Sequence, residues 1–272
     1  MTSMRSMTST SGIMRATGAA ALIAVTAGWA GAAAGVYAVG NFDNFGTQSL
    51  YFVNPGVGGA SIIGSTGLRE VAGLEYDLAN DRLLALDILG DLYSVNRNNA
   101  ESTLVLNTGA LITEGSLAVG AGTFTTIFDE LHRLDGGTWV AVGSSGLADS
   151  YDISGLEFDG AGRLFAVASN GDAADSLLRF DPLTGAALFV AQITGAASGG
   201  LGGLAFNHDN GAMYLTDGAR LFSLDLSSGA TTTLNSIGIL GVSGIAYIPS
   251  PGTVLLAGAG MVLISYRRRG AR

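Results

Sequence analysis

Leu177-Leu178-Arg179-Phe180-Asp181-Pro182-Leu183-Thr184-Gly185, followed by Ala187-Leu188-Phe189-Val190, reads as a strand, a tight turn and a second strand. Asp opens such a turn by bonding its own backbone, Pro presets φ, and Gly closes it. The pattern returns at Leu221-Phe222-Ser223-Leu224-Asp225, with Leu226-Ser227-Ser228-Gly229 as its turn. Upstream, the same Leu-x-x-apolar-Asp/Asn run starts at Leu50, Leu92 and Leu131, so successive spacings are 42, 39, 46 and 44 residues.

A second motif precedes these runs: Gly73-Leu74-Glu75-Tyr76-Asp77, Gly115-Ser116-Leu117-Ala118-Val119, Gly155-Leu156-Glu157-Phe158-Asp159, Gly203-Leu204-Ala205-Phe206-Asn207 and Gly244-Ile245-Ala246-Tyr247. Between the two lies a third short apolar run, as in Arg82–Leu86 and Arg163–Val167. Four short strands every forty-odd residues is the period of a propeller blade. One blade cannot bury both its faces, so blades must stack around a common axis. The regular spacing argues against a β-sandwich or jelly roll. These repeats resemble secreted bacterial propeller-like proteins whose blades carry a leucine-aromatic strand and an Asp-Pro-x-Thr-Gly turn. That resemblance implies a scaffold and no particular activity.

The motifs are out of phase at the two ends. Val36-Tyr37-Ala38-Val39 supplies a second strand with no opening motif before it, and Gly244–Tyr247 opens a blade that nothing follows. Pairing them gives an all-β, five-bladed β-propeller closed by its C-terminal strand. Closure removes the open edges that an unfinished array would expose.

Outside the repeat, both ends change character. Arg5 and Arg15 precede an apolar run from Ala19 to Trp29, and Ala32-Ala33-Ala34 follows. That is the order of a secretory signal, with Ala32 and Ala34 as the small residues read by signal peptidase and cleavage after Ala34, or alternatively after Ala30. At the other end Pro249-Ser250-Pro251 breaks the repeat. Thr253–Tyr266 is uncharged and mostly apolar, and Arg267-Arg268-Arg269 closes it. As a helix, those fourteen residues would rise about 21 Å, short of a hydrocarbon thickness of about 30 Å. The arginines would stay on the cytoplasmic side.

This tail resembles the PEP-CTERM sorting signal of exosortase substrates, over Pro249–Arg272, with Ser250 where that family usually has Glu. The resemblance implies processing by an exosortase-like enzyme and contact with the membrane through the tail. The expected organisation is a signal peptide over 1–34, a propeller over 35–248 and a sorting tail over 249–272. The tail is expected to start at the propeller rim, with almost no linker. A signal helix and an apolar helix are expected to flank the ring.

Composition fits an exported domain. The chain has 272 residues, no cysteine, and 13 basic residues that are all arginine. Six of those arginines lie in the two ends, which carry no acid, so the middle holds 22 acids against seven arginines. A domain that acidic repels phosphate backbones, so nucleic acid is excluded as a partner.

No residue pattern specifies catalysis, a cofactor or a metal. His132 and His208 lie 76 residues apart. Neither the Asn170-Gly171-Asp172/Asp175 cluster nor Asn41-Asp43-Asn44 matches an EF-hand loop. Gly199-Gly200-Leu201-Gly202-Gly203 precedes a strand and reads as a connector between blades, since a phosphate loop would precede a helix. The carboxylates Glu75 and Glu157 recur at one repeat position but lie two blades apart. Asp77, Asp159 and Asn207 recur at a strand end, where a turn role is expected. The reading is an exported, non-enzymatic surface or envelope propeller. The alternative is a secreted glycan hydrolase or lyase on the same scaffold. A channel mouth walled by small, apolar side chains would favour the first, and converging carboxylates the second.

Overall fold

In the computed structural model, the chain is described over residues 33–43, 46–112, 115–147, 151–169, 174–196 and 201–251. Among the described residues, twenty strands form five four-stranded antiparallel sheets. The second blade holds β4 (Val71–Asp77), β5 (Arg82–Asp87), β6 (Leu92–Val95) and β7 (Ser102–Leu106). The third holds β8 (Leu117–Val119), β9 (Thr123–Ile127), β10 (Glu130–Asp135) and β11 (Thr138–Ser144). The fourth holds β12 (Asp152–Phe158), β13 (Leu164–Ser169), β14 (Ser176–Phe180) and β15 (Ala187–Gln192). The fifth holds β16 (Leu204–Phe206), β17 (Met213–Thr216), β18 (Arg220–Leu224) and β19 (Thr231–Ser236).

The first blade is assembled from both ends of the ring. Its sheet order is β20 (Gly244–Ile248), β1 (Gly35–Phe42), β2 (Gln48–Val53) and β3 (Ala60–Ser65). Tyr37 stands opposite Ala246, and Gly35 opposite Ile248. The last strand therefore becomes the innermost strand of the first blade, as the phase of the motifs requires.

Burial follows position in the blade. The innermost strands β4 and β20 are buried at every residue, whereas the outermost strands β3, β7, β11, β15 and β19 have no buried residue. Five apolar clusters fill the five gaps between consecutive blades. One joins Tyr37 and Leu50 of the first blade to Leu74 and Leu83 of the second. Another joins Val36 and Ile245 to Tyr214 and Leu221, which seals the last gap. The others lie between the second and third, third and fourth, and fourth and fifth blades. The ring thus replaces one central core with five interfaces. Each fully buried Leu, Ile or Phe contributes about 1.5–3 kcal/mol.

Glycine sets the spacing at the centre. A Cβ on Gly244 would sit 2.6 Å from Leu74 N, and one on Gly73 2.6 Å from Leu117 N. Gly155 and Gly203 stand against Leu204 N and Ile245 N in the same way. These contacts fix the true equivalence of the five inner strands. Leu117 matches Leu74, so Ser116 occupies the glycine position of the third blade. The sequence alignment, which set Gly115 there, is one residue out of register.

One further expectation is corrected. The tail does not start at the rim. It leaves from Ile248, the end of an innermost strand, beside the axis. The segment through Ala32 expected to be a signal, the apolar segment from Gly252 and Arg267, Arg268 and Arg269 lie outside the described residues. Among the described residues, no helix is long and apolar enough to cross a membrane.

Candidate functional site

The five inner strands run in the same direction along the axis. Residues at or near their starts, among them Ala72, Gly73, Ser116, Ser154, Gly155, Gly203, Ser243 and Gly244, wall a pit at one face of the ring. Its volume is about 10 Å³, room for scarcely one water. Small side chains at these positions let the strands converge, which closes the channel.

Two residues further along each strand, the equivalent positions hold Glu75, Ala118, Glu157, Ala205 and Ala246. The three alanines are fully buried, and each glutamate is only 4% exposed. Three methyl groups leave the space that two longer side chains fill. Glu75 and Glu157 meet there, in hydrogen-bonding contact across the axis. Sequence spacing had set them two blades apart. In a ring of five, residues two blades apart are also opposite one another at the centre.

Their surroundings differ. Glu157 Oε1 accepts from Phe158 N–H at 2.7 Å, and Oε2 from Phe206 N–H at 3.2 Å on the next blade. Glu75 Oε1 accepts from Tyr76 N–H at 2.6 Å, while its Oε2 is buried with no donor. Burial pushes both carboxyl groups upward. Glu75 is raised well above the usual carboxylate range by desolvation and then by the neighbouring Glu157. Glu157 is raised by desolvation to about 7, with the Glu75 contact and the two N–H groups opposing the rise.

The other face of the ring carries turns with local roles. Asp77 accepts from Asn80 N–H and Arg82 Nε, and Asp159 from Ala161 N–H, Arg163 N–H and Arg163 Nε. Asn207 Oδ1 accepts from Asp209 N–H and Asn210 N–H. The turn role expected for all three is what the structure displays. Asp81 accepts from Tyr76 Oη and Arg97, and the Arg97 guanidinium lies 5.8 Å over the Tyr76 ring.

The residues expected to start a sorting motif begin on this same face. Ile248 ends β20, and Pro249-Ser250-Pro251 follow at once. Ser250 N–H and Oγ both donate to the Asp209 carboxylate, at 3.0 and 3.1 Å, and Tyr247 Oη donates to it at 2.8 Å. Ala34, next to the expected cleavage point, is exposed immediately before β1, while Ala32 lies outside the described residues.

The remaining candidates stay apart. His132 is in β10 of the third blade, and His208 in the turn after β16 of the fifth, its ring edge-on to Phe206. Burial lowers the His208 pKa. Among the described residues, no group of three or more His, Asp or Glu side chains could hold a metal. Asp43 is used by Thr47 N–H and Oγ1 at 2.9 and 2.6 Å. Asn44 and Asn170–Asp172 lie outside the described residues, as do Gly199 and Gly200.

No protein-family model matches this chain, and no curated protein matches it in sequence. Solved structures do resemble it. A chain of a nidogen/laminin complex is 13% identical, with a TM-score of 0.53, over 78% of this chain and 98% of that one. A Bacteroides thetaiotaomicron protein of unknown function is 15% identical over 69% of this chain and 56% of its own, with a TM-score of 0.45. The calcium-binding protein regucalcin from Agrobacterium tumefaciens is 17% identical over 60% and 57%, with a TM-score of 0.39. At such identities the nidogen/laminin likeness speaks for the fold alone, and that fold is the all-β, five-bladed propeller built above.

Proposed function

We propose that this chain is an exported cell-surface or envelope protein whose propeller binds or bridges an envelope or matrix component without catalysis. In this reading the segment before Gly35 is removed by signal peptidase, and the tail over 249–272 is read by an exosortase-like enzyme at the membrane.

The observation that carries it is the pairing of Gly35 with Ile248. The closed ring begins and ends where the two targeting segments meet it. Both therefore leave side by side from one face, and either can be processed without removing a strand. The Ser250–Asp209 contacts fix the take-off point of the tail. With the tail in a membrane, this face turns toward the bilayer, and the pit face and outer strands turn away. Those outer surfaces present exposed apolar side chains such as Ile62, Leu104, Leu188 and Phe189.

The glutamate pair is the one observation that could favour a glycan hydrolase. Carboxyl pairs of glycosidases stand about 5–9.5 Å apart, flanking the bond they cleave. Here the two groups touch, are buried, and lie below a pit of about 10 Å³. A sugar has no room between them, which supports the binding reading.

Mass spectrometry of the cell-envelope fraction tests it. The expected N-terminus is Gly35. Replacing Arg267, Arg268 and Arg269 with Asp should leave export intact but disturb retention or processing. Intact protein starting at Met1 in the cytosol would overturn the export reading, and unchanged surface localisation of the variant would overturn the sorting role of the tail.

A further inference from the structure

Glu75 and Glu157 come from separate blades into a buried ring centre. Two ionised carboxylates in contact inside protein repel each other, and burial weakens the solvent screening that would offset it. The N–H groups of Phe158 and Phe206 serve Glu157, and that of Tyr76 serves Glu75. Glu75 Oε2 still has no donor.

Among the described residues, no charge on the surrounding strands can supply one. The neighbouring inner strands β8 and β16 carry no titratable residue, and β20 carries only Tyr247. From the strands behind, β13 and β9 carry none, β1 carries Tyr37 and β17 carries Tyr214. On Glu157's own strand, Asp152 is exposed at the far end. On β5, Arg82 pairs with Asp77 at 2.8 Å and Asp87 lies at the far end. On Glu75's own strand, Asp77 is a further negative charge nearby. What offsets two like charges in contact must therefore be a proton or a cation. The three backbone N–H groups converging on the pair disfavour a cation.

We propose that Glu75 and Glu157 form a proton-bridged latch, in which Glu75 stays protonated and donates to Glu157 across the axis, tying the second blade to the fourth. Loss of that proton to solvent leaves two like charges at the point where all five blades converge, and the ring loosens. This does not rest on export or on any ligand.

Both groups have folded pKa values raised above their unfolded ones. The latch is fully favourable below the unfolded glutamate pKa of about 4.3. Its contribution is lost as pH rises through the raised folded values, about 7 for Glu157.

Thermal unfolding of the full chain at pH 5 and pH 8, with and without calcium chloride, tests the proposal. The melting temperature should fall by roughly 5–10 °C between the two. Glu75→Gln keeps a donor but cannot ionise, so it should remove most of that slope and raise the melting temperature at pH 8. Glu157→Gln sets an NH2 against backbone N–H groups and should lower it at both pH values. A flat wild-type profile, or a full slope kept by Glu75→Gln, would overturn the latch. So would calcium restoring the pH 8 value in the wild type but not in Glu75→Gln, which would assign a cation site instead. Should the variants fail to fold, carboxyl-carbon NMR of glutamate-labelled wild type decides. One glutamate should remain protonated at pH 7, and its absence would overturn the proposal.

Discussion

The centre and the rim of this ring use carboxyl groups in opposite ways. At the centre, Glu75 and Glu157 are buried, serve three backbone N–H groups between them, and have pKa values pushed up by lost hydration. At the rim, Asp181 and Asp225 are exposed and open the turns between third and fourth strands. Asp225 is held down to about 2 by bonds from the Ser227 hydroxyl and N–H and from Ser228 N–H. Asp181 is lowered by Leu183 N–H and the Thr184 hydroxyl. One residue class thus stabilises the centre when protonated and the rim when ionised. Water decides which, because an exposed carboxylate keeps its hydration while accepting extra donors, and a buried one does not.

The largest expected effect breaks the centre outright. A chain ending after Ser250 keeps β20, whereas one ending after Val242 loses it. Ile245, Tyr247 and Ile248 are all buried, and three such side chains carry roughly 5–9 kcal/mol. That is comparable to a whole domain's stability of about 5–15 kcal/mol. The longer chain should show cooperative thermal unfolding, and the shorter one should be unfolded or far less stable. Equal melting temperatures would refute ring closure as a stabilising device.

Single methyl groups sharpen the comparison. Gly244→Ala sets a Cβ 2.6 Å from Leu74 N, where two inner strands cannot separate without disturbing the whole ring. Overpacking there should cost about 1–3 kcal/mol by denaturant unfolding. Gly185→Ala at the rim meets a positive φ of 79° and the carbonyl of Gly143. The second blade already holds Ala100 at the equivalent place, with φ of 65°, packed against Gly64. At Gly185, however, the added Cβ would sit 2.2 Å from the Gly143 carbonyl oxygen, so the third and fourth blades must shift, and the cost should exceed the left-handed conformation's own about 1–2 kcal/mol.

The smallest effect concerns Asp225. Its folded pKa is depressed, so its contribution is present above the unfolded pKa of about 3.9 and lost as pH falls through about 2. Asp225→Ala should lower the melting temperature slightly at pH 7 and by clearly less at pH 2, where the carboxylate is half protonated. A penalty as large at pH 2 as at pH 7 would show that packing, and not the carboxylate, holds the turn.

Much of the ring was legible in the residues because its information is local. The Asp-Pro-Leu-Thr-Gly turn at Asp181, the Leu-x-x-apolar runs and their spacing near 42 residues specify strands that pair with their sequence neighbours. Even the closure of β20 on β1 followed from counting motifs, since an unpaired inner strand and a missing one have a single economical solution. Three things only the tertiary structure decided. The third blade aligns through Ser116 and Leu117, because backbone contacts with Gly73 set the register and not the nearest glycine in sequence. The tail leaves from the centre, because the strand before it is innermost. And Glu75 meets Glu157, because the ring is narrow enough for opposite strands to touch where three alanines make room. Strand spacing records which residues are neighbours along a blade. Which residues face each other across the axis depends on the ring's diameter and on side-chain volumes summed over all five blades, which no single repeat encodes.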